Sequence, residues 1–341
     1  MAGHPDVPAV RPSVAQPVPG TILAGHRVEA MVGRGGMGVV YRARHCRLGR
    51  VAALKVIAPE LAGDASVQRR FLEEAVAAAS FEHPNVVPVY DAGESHGIPY
   101  LAMHYVHGMD LCAMVGRLGP LEPARAAEIV AGVGAALDAM HRAGYVHRDV
   151  KPRNVLIAGG GHVYLTDFGL ARRVASGSGA TCAGHWAGTV DYAAPEQIRG
   201  GRTDARTDVY ALGCLLHFAL TGRPPFTREN LEARLWAHLH EPPPAPSALR
   251  PGLPPELDAL VARALAKDPA DRLPSAGDLG RAAQMAAAGG LGSTRAGAPA
   301  AETPRHTRAA HAEAPTVSSA RLAPARPVRP EAAPLAAAAA P

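Results

Sequence analysis

The chain has 341 residues, 48% of them hydrophobic, a formal net charge of +5 and a sequence pI near 9.2. That length holds a two-lobed core with tails. The charge does not imply a nucleic-acid surface: residues 287–341 carry six Arg against three Glu, Arg11 and Asp6 cancel within residues 1–20, and only +2 is left for the rest, so no nucleic-acid partner is expected.

Residues 1–20 are proline-rich and lack an apolar core flanked by basic residues, so they read as a disordered tail and not as a signal peptide. No stretch reaches the roughly 18 apolar residues of a membrane span; the longest candidate, Pro334 to Pro341, is an alanine run framed by prolines. Cys46, Cys112, Cys182 and Cys214 are scattered, without a CxxC pair or metal spacing, and read as reduced thiols. A soluble cytoplasmic protein without a membrane span is the expectation. From Thr21 to Met109 come β-branched runs broken by glycine, with one helical segment. From Asp110 to about residue 286 apolar residues recur at helical spacing, and residues 287–341 are an aperiodic Ala/Pro/Arg-rich tail read as disordered.

The first motif is GRGGMGVV, in which Gly33, Gly35, Gly38 and Val40 form GxGxxGxV between two strand-like runs, 28–32 and 39–43. This context is strand-turn-strand, which separates it from the strand-turn-helix of a dinucleotide fold. Glycine lets backbone NH groups approach an anion without a Cβ in the way. Alone the pattern is weak, since a plain glycine turn has the same spacing and Val40 is equally a strand core residue.

Next comes VAALKVI, Val51 to Ile57, a strand whose one charge is Lys55. An ammonium in so apolar a run needs a carboxylate partner. The following segment, Ser66 to Ser80, is helical by composition, and Glu74 is preferred over Glu73 because Phe71, Ala75 and Ala78 share its inward face. Whichever glutamate is not the partner lies on a solvated helix face.

The third constellation is HRDVKPRN, His147 to Asn154, followed thirteen residues later by Asp167, Phe168 and Gly169. Asp149, Lys151, Asn154 and Asp167 place a base, a cation and two metal-binding groups near one phosphate.

The order GxGxxGxV, AxK, Glu, HRDxKxxN, DFG, APE resembles the eukaryotic-like serine/threonine protein kinases of bacteria over about residues 21–285. Six motifs in fixed order are far more specific than any one. The resemblance implies an α+β, two-lobed kinase fold: a small, mainly β N-lobe with one main helix (residues 21–109) and a larger, mainly helical C-lobe (110–286), with ATP between them. It implies Asp149 as the group that receives or orients the substrate hydroxyl proton. Lys151 would face the transferring γ-phosphoryl group, the Lys55–Glu74 pair would sit at the α and β phosphates, and Asn154 and Asp167 would hold Mg²⁺, with Mn²⁺ as the alternative metal. The ATP contacts it implies are Gly33, Arg34, Gly35, Gly36, Met37, Gly38, Val40, Ala53, Lys55, Met103, His104 and Val106. Met103 would lie behind the adenine and the backbone of His104 and Val106 at its edge. Where His104 stands the family usually has Glu; contacts through the main chain survive that departure, while a hydrogen bond across the hinge is put at risk. Asp110 reaches the ribose or caps the next helix.

His147 is expected as scaffold, Glu196 of APE as the ion-pair partner of Arg272, and Asp208 as the holder of the HRD backbone. Lys151, together with Thr189 in GTVDY, indicates Ser/Thr rather than Tyr as acceptor. Thr181, with Ser176 and Ser178 behind it, is the autophosphorylation candidate opposite Arg148, with a transient homodimer for transfer in trans and Ser/Thr-bearing proteins as substrates. Ala183 stands where the family often has a second threonine, against a two-site version. Cys182 beside it is an incidental thiol or a redox switch. Two other readings share part of the pattern. A pseudokinase would lack one of Lys55, Asp149, Asn154 or Asp167, and all are present. A small-molecule phosphotransferase would not need the GT and APE elements of a peptide-docking segment. Only three of the 35 Lys and Arg residues are lysine, and two of the three are Lys55 and Lys151; a chain that writes nearly every cation as Arg keeps lysine where a compact ammonium is required.

Overall fold

The computed structural model describes residues 16–35, 38–79, 82–167, 172–173 and 190–293. The glycine-rich segment is a hairpin, as its flanks predict. Strands β1 (Ile22–Leu23), β2 (His26–Arg34), β3 (Gly38–His45) and β4 (Val51–Ile57) are followed by helix α1 (Ala65–Ala79) and strands β5 (Val89–Ser95) and β6 (Ile98–His104). The six strands form one antiparallel sheet in the order β1-β2-β3-β4-β6-β5.

Successive side chains of a strand alternate between faces, and β4 uses both. Leu54 and Val56 pack with Val28, Val39 and Tyr41. On the other face Ile57 meets Val67, Phe71 and Ala75 of α1. Helix α1 starts where Asp64 Oδ1 accepts the NH groups of Ser66 (2.7 Å) and Val67 (3.3 Å), an N-cap. It buries Val67, Phe71, Ala75 and Ala78 at helical spacing and leaves Glu73 exposed.

After the sheet the chain forms β7 (Gly108–Asp110), α2 (Leu111–Leu118), α3 (Pro123–Arg142), β8 (Tyr145–Val146), β9 (Val155–Ala158), β10 (Val163–Leu165) and β11 (Arg172–Arg173). It ends in α4 (Pro195–Ile198), α5 (Ala205–Thr221), α6 (Leu231–His240), α7 (Pro246–Leu249), α8 (Pro255–Ala264) and α9 (Ala276–Ser293). Helix α5 is buried at every residue from Thr207 to Leu220, the mark of a helix apolar all round and central to its lobe. Helices α3 and α9 approach backbone to backbone: a Cβ on Gly280 would lie 2.6 Å from Ala131 Cα, so no larger residue fits there. Among the described residues no helix is long and apolar enough to cross a membrane.

Three boundaries differ from those read in the sequence. The six-stranded sheet ends at His104, and Gly108–Asp110 pairs instead with β9 in the sheet β10-β9-β7, so residues 108–109 belong with the helical part. Order begins before residue 21, since Gly20 N donates to Val28 O at 2.8 Å and ties the preceding turn to β2. Helix α9 runs to Ser293, past residue 286, because Ala286 and Ala287 are still buried in the core and carry the helix into its glycines.

Candidate active site

Register, more than any single residue, builds the roof of the central cleft. Within β4, Ala53 and Lys55 point to the same face. Their cross-strand partners are Met103 for Ala53, and Val40 and Leu101 for Lys55. All five line one cleft of about 370 Å³, within the range of small-molecule sites. Gly33, Val32, His104, Tyr105 and Val106 complete the upper wall, and Leu156 and Met109 lie below. The sequence reading missed Leu156, although the alternation of VLIA in β9 places it opposite the buried Val155 and Ile157.

The glycine-rich hairpin is closed by Gly35 N donating to Gly38 O at 2.9 Å. Gly38 is required for a reason the motif does not state: a Cβ there would lie 2.5 Å from Val56 O, so β3 could not pair with β4. Arg34 was assigned to the nucleotide, but it is exposed, its guanidinium pairs with Glu60, and it does not line the cleft, nor do Gly35 and Gly38. A long exposed cation at this position reaches a carboxylate on the next loop. Gly36 and Met37 lie outside the described residues.

The lower wall gathers its polar groups through the β9–β10 hairpin. Val155 pairs with Leu165, so Asn154 before the pair and Thr166 and Asp167 after it emerge at the same end, and all three line the cleft. Thr166 N donates to Asn154 O at 2.9 Å and fixes that juxtaposition. Lys55 Nζ, with its side chain 8% exposed, donates to Asp167 Oδ1 at 2.6 Å. Glu74 lies on α1 as expected, but its side chain lies outside the described residues, so Asp167 is the carboxylate seen at Lys55.

Asp149 and Lys151 stand beside the cleft. Lys151 Nζ donates to Asp149 Oδ2 at 2.7 Å, and Asn154 Nδ2 donates to Asp149 O at 2.8 Å and to Oδ2 at 3.2 Å. One carboxylate oxygen is therefore held twice. The other, Asp149 Oδ1, is buried and has no hydrogen-bond partner among the described residues. A buried acceptor without a donor costs about 1–3 kcal/mol unless a bound group supplies one.

Asp208, fully buried, holds the turn that carries Asp149. It accepts the backbone NH groups of His147 (2.9 Å) and Arg148 (2.8 Å) and the ring of His141 at Nε2 (2.7 Å). Burial alone would raise its pKa; the bonds from His141 and the His147 backbone outweigh burial, and the net shift is downward. Arg148 and Asp167 sit at φ +66° and +69°, the left-handed region that costs a non-glycine residue about 1–3 kcal/mol and persists when surrounding bonds over-determine it. For Arg148 those bonds are Asp208 on its NH and Gln197 Nε2, which donates to its carbonyl at 3.0 Å. His147 is scaffold, as read: it is buried, Nδ1 accepts from Asp149 N at 3.2 Å, and Nε2 faces Thr166 O at 3.3 Å.

Arg272, whose side chain is fully buried, meets Glu196 through two bonds of 2.8 Å, Nη1 to Oε1 and Nη2 to Oε2. Thr207 Oγ1 also donates to Glu196 Oε1 at 2.8 Å, and the guanidinium lies 4.9 Å from the Tyr210 ring centroid. This is the bidentate geometry that a lysine cannot reproduce. His141 and Gln197 were missed by the sequence reading. Gln197 was legible as the third residue after Ala194, where a helix start places a Gln side chain back on the cap NH, here Ala194 N at 3.0 Å.

Two departures from the expected pattern also have structures. Asp110 caps the next helix: Oδ1 accepts Ala113 N at 2.8 Å at the start of α2, and the residue also lines the cleft. His104 makes a side-chain bond of its own at the hinge, its Nδ1 2.9 Å from the Tyr90 hydroxyl. Lys267, the third lysine, donates to the carbonyls of Ala237 (3.1 Å) and His238 (2.8 Å) at the end of α6, a structural use, and burial pulls its pKa down to about 8. The phosphosite candidates Thr181, Ser176 and Ser178 lie outside the described residues, as do Phe168, Gly169, Cys182, Ala183 and Thr189.

The residues present fit a nucleotide with a hard divalent cation. Val40, Ala53, Leu156 and Met103 offer apolar walls to a flat base, and Lys55 stands at the polar end for phosphate. With its amide nitrogen committed to Asp149, Asn154 has its side-chain oxygen left for a cation, next to the Asp167 carboxylate. Among the described residues no group of three or more His, Cys, Asp or Glu could hold a metal alone. Two oxygen ligands completed by phosphate is how Mg²⁺ is held at nucleotide sites.

Residues 26–283 match the family model of the protein kinase domain. Serine/threonine-protein kinase PknD of Mycobacterium tuberculosis is 44% identical over 275 residues, 80% of this chain and 41% of that protein. PknE of the same organism is 43% identical over 269 residues, 79% of this chain and 47% of that protein. The chain thus spans less than half the length of the curated relatives it matches. The crystal structure of the PknI kinase domain of Mycobacterium tuberculosis superposes with a TM-score of 0.63 at 35% identity, covering 80% of this chain and all of that one.

Proposed function

The chain belongs to the protein kinase family, and on that premise we propose that it transfers the γ-phosphoryl group of ATP to Ser and Thr hydroxyls of protein substrates in bacterial signalling. The observation that carries the reading is the divided carboxylate of Asp149. Oδ2 is clamped by Lys151 and Asn154 while Oδ1 is a buried acceptor without a donor, the arrangement a substrate hydroxyl would complete.

Asp149 Oδ1 orients the hydroxyl and receives its proton as the oxygen attacks phosphorus. Lys151, already beside the carboxylate, supplies positive charge where the transferring group gains negative charge. Lys55, with Glu74 as its helix partner, grips the α and β phosphates. Asn154 and Asp167 hold Mg²⁺, with Mn²⁺ as the alternative; the metal, when bound, neutralises phosphate charge and orients the chain. The hinge backbone from Met103 to Val106 takes the base and Gly33 lies over the phosphates. The lobes are read as 21–109 and 110–286, adjusted at the boundaries described above.

The regulatory part of the reading is autophosphorylation of Thr181 in trans within a transient homodimer, with Ser176 and Ser178 as secondary acceptors. Two comparisons test the whole: phosphoproteomes of cells carrying the wild type or Asp149→Asn, and ATP turnover by the two purified proteins. Phosphosites lost with Asp149→Asn support the kinase. No lost site together with no turnover by the wild type overturns it.

A further inference from the structure

The back of the hinge carries a row of side chains that the nucleotide reading does not use. Strand β6 ends at His104, and this one residue is anchored twice to the start of β5. Its backbone NH donates to Pro88 O at 2.9 Å, and its Nδ1 is hydrogen-bonded with the Tyr90 hydroxyl at 2.9 Å. Tyr90 is the extra residue of a bulge: Val89 pairs with Met103 and Asp91 with Ala102, so Tyr90 has no partner of its own in the ladder. A bulge re-aims a side chain, and here it turns the phenol toward the hinge. Arg50 covers the other face of the Tyr90 ring, its guanidinium carbon 3.5 Å from the centroid. Beyond His104 the row continues to Tyr164 of β10, ring centroids 5.8 Å apart, so the imidazole bridges the six-stranded sheet and the β10-β9-β7 sheet.

The geometry assigns His104 and Tyr90 a positioning role, which rests on the nucleotide reading of the cleft: their side-chain bond fixes the backbone of residues 103–106, the segment that lines the cleft where the base would lie. Three observations support it. The bond joins a hinge residue to β5, which is paired with β6, so the hinge cannot shift away from the sheet without breaking it. Burial, with the Arg50 guanidinium nearby, lowers the His104 pKa and favours the neutral ring, the form with a bare nitrogen that can accept from a phenol. And the residue itself lines the cleft, so a change in its backbone is felt directly by whatever occupies it.

The test measures ATP binding in the presence of magnesium by calorimetry on the Asp149→Asn protein, which holds nucleotide without turning it over. Tyr90→Phe, which removes a single oxygen and does not threaten the fold, and His104→Ala should each weaken binding about threefold to tenfold, the range of one net hydrogen bond. The double variant should bind no worse than His104→Ala, since both remove the same bond, and His104→Gln, which keeps a side-chain acceptor, should recover most of the loss. In the protein with Asp149 restored, the loss should fall on KM for ATP rather than on kcat, a split that a merely destabilised lobe would not give. If Asp149→Asn binds ATP and both single variants bind it equally well, or if the two losses add, the positioning role is overturned and the nucleotide reading stands. If Asp149→Asn binds no ATP, the nucleotide reading falls and this role with it.

Discussion

Lys55 Nζ and Asp167 Oδ1 lie 2.6 Å apart although 112 positions separate them in the chain. The bond joins the sheet to the loop that follows the β9–β10 hairpin, and it places an ammonium beside the Asp167 carboxylate, proposed above to hold Mg²⁺, in a site that leaves the lysine side chain 8% exposed. An arginine keeps the charge but brings a wide planar fork into a space fitted to a point cation. Lys55→Arg should therefore lower kcat/KM for ATP-dependent phosphorylation by about 100-fold or more, and Lys151→Arg should do likewise. Wild-type turnover in either variant would break the argument.

Asp149→Asn replaces the unpartnered Oδ1 or the clamped Oδ2 with an amide that cannot take a proton. A loss in kcat of about 10²–10⁴-fold is expected, with the fold intact by circular dichroism. The measurement is single-turnover transfer to a generic Ser/Thr protein substrate.

Glu196 and Arg272 form a buried pair with no spare bond: Arg272 also donates to the carbonyls of Ala266 (2.8 Å) and Arg206 (2.9 Å). Removing one partner strands the other charge, so Arg272→Ala should cost about 3–5 kcal/mol of stability in urea unfolding. Arg272→Lys should recover little, because one ammonium cannot meet both carboxylate oxygens.

Asp208 links stability to acid. Its folded pKa lies below the ordinary carboxylate value of 3.8, so its contribution is complete above that value and is lost as pH falls through the lower, folded one. Asp208→Asn should be less stable at pH 7 by about 1.5–3 kcal/mol, the worth of bonds to a charged acceptor. Its stability should also fall less steeply than that of the wild type below pH 3.8. Parallel pH profiles for the two proteins would remove Asp208 as the cause.

Phosphosite mapping of an active preparation should find phosphate on Thr181, and Thr181→Ala should reduce activity without changing Kd for ATP. An active preparation unmodified at Thr181 sinks the autophosphorylation part of the reading and leaves the catalytic part untouched.

What was legible in the sequence was whatever local pattern fixes. Alternation in VAALKVI put Ala53 and Lys55 on one face, the spacing of Phe71, Ala75 and Ala78 gave the buried stripe of α1, and HRDVKPRN with Asp167 gave the polar lower wall. What failed depended on register or on distant partners. Tyr90 reaches His104 only because a bulge shifts β5 by one residue, and His141 reaches Asp208 from the last turn of α3, 67 positions away. Arg34 was read from its place in a motif, while its partner Glu60 belongs to another loop. The last lobe is read as ending at residue 286, where the helical spacing gives way to the Ala/Pro/Arg-rich tail, but tertiary packing of Ala286 and Ala287 carries α9 to Ser293.

The three lysines have a practical consequence as reagents. Each ε-amino group is already bonded, Lys55 to Asp167, Lys151 to Asp149 and Lys267 to two carbonyls of α6, so none of the chain's lysine amines is idle at the surface. Amine-reactive probes label most proteins indiscriminately. On this chain only three lysines take such a label, and protection of Lys55 by added nucleotide would be read in a mass spectrum with Lys267, at the end of α6, as the internal reference.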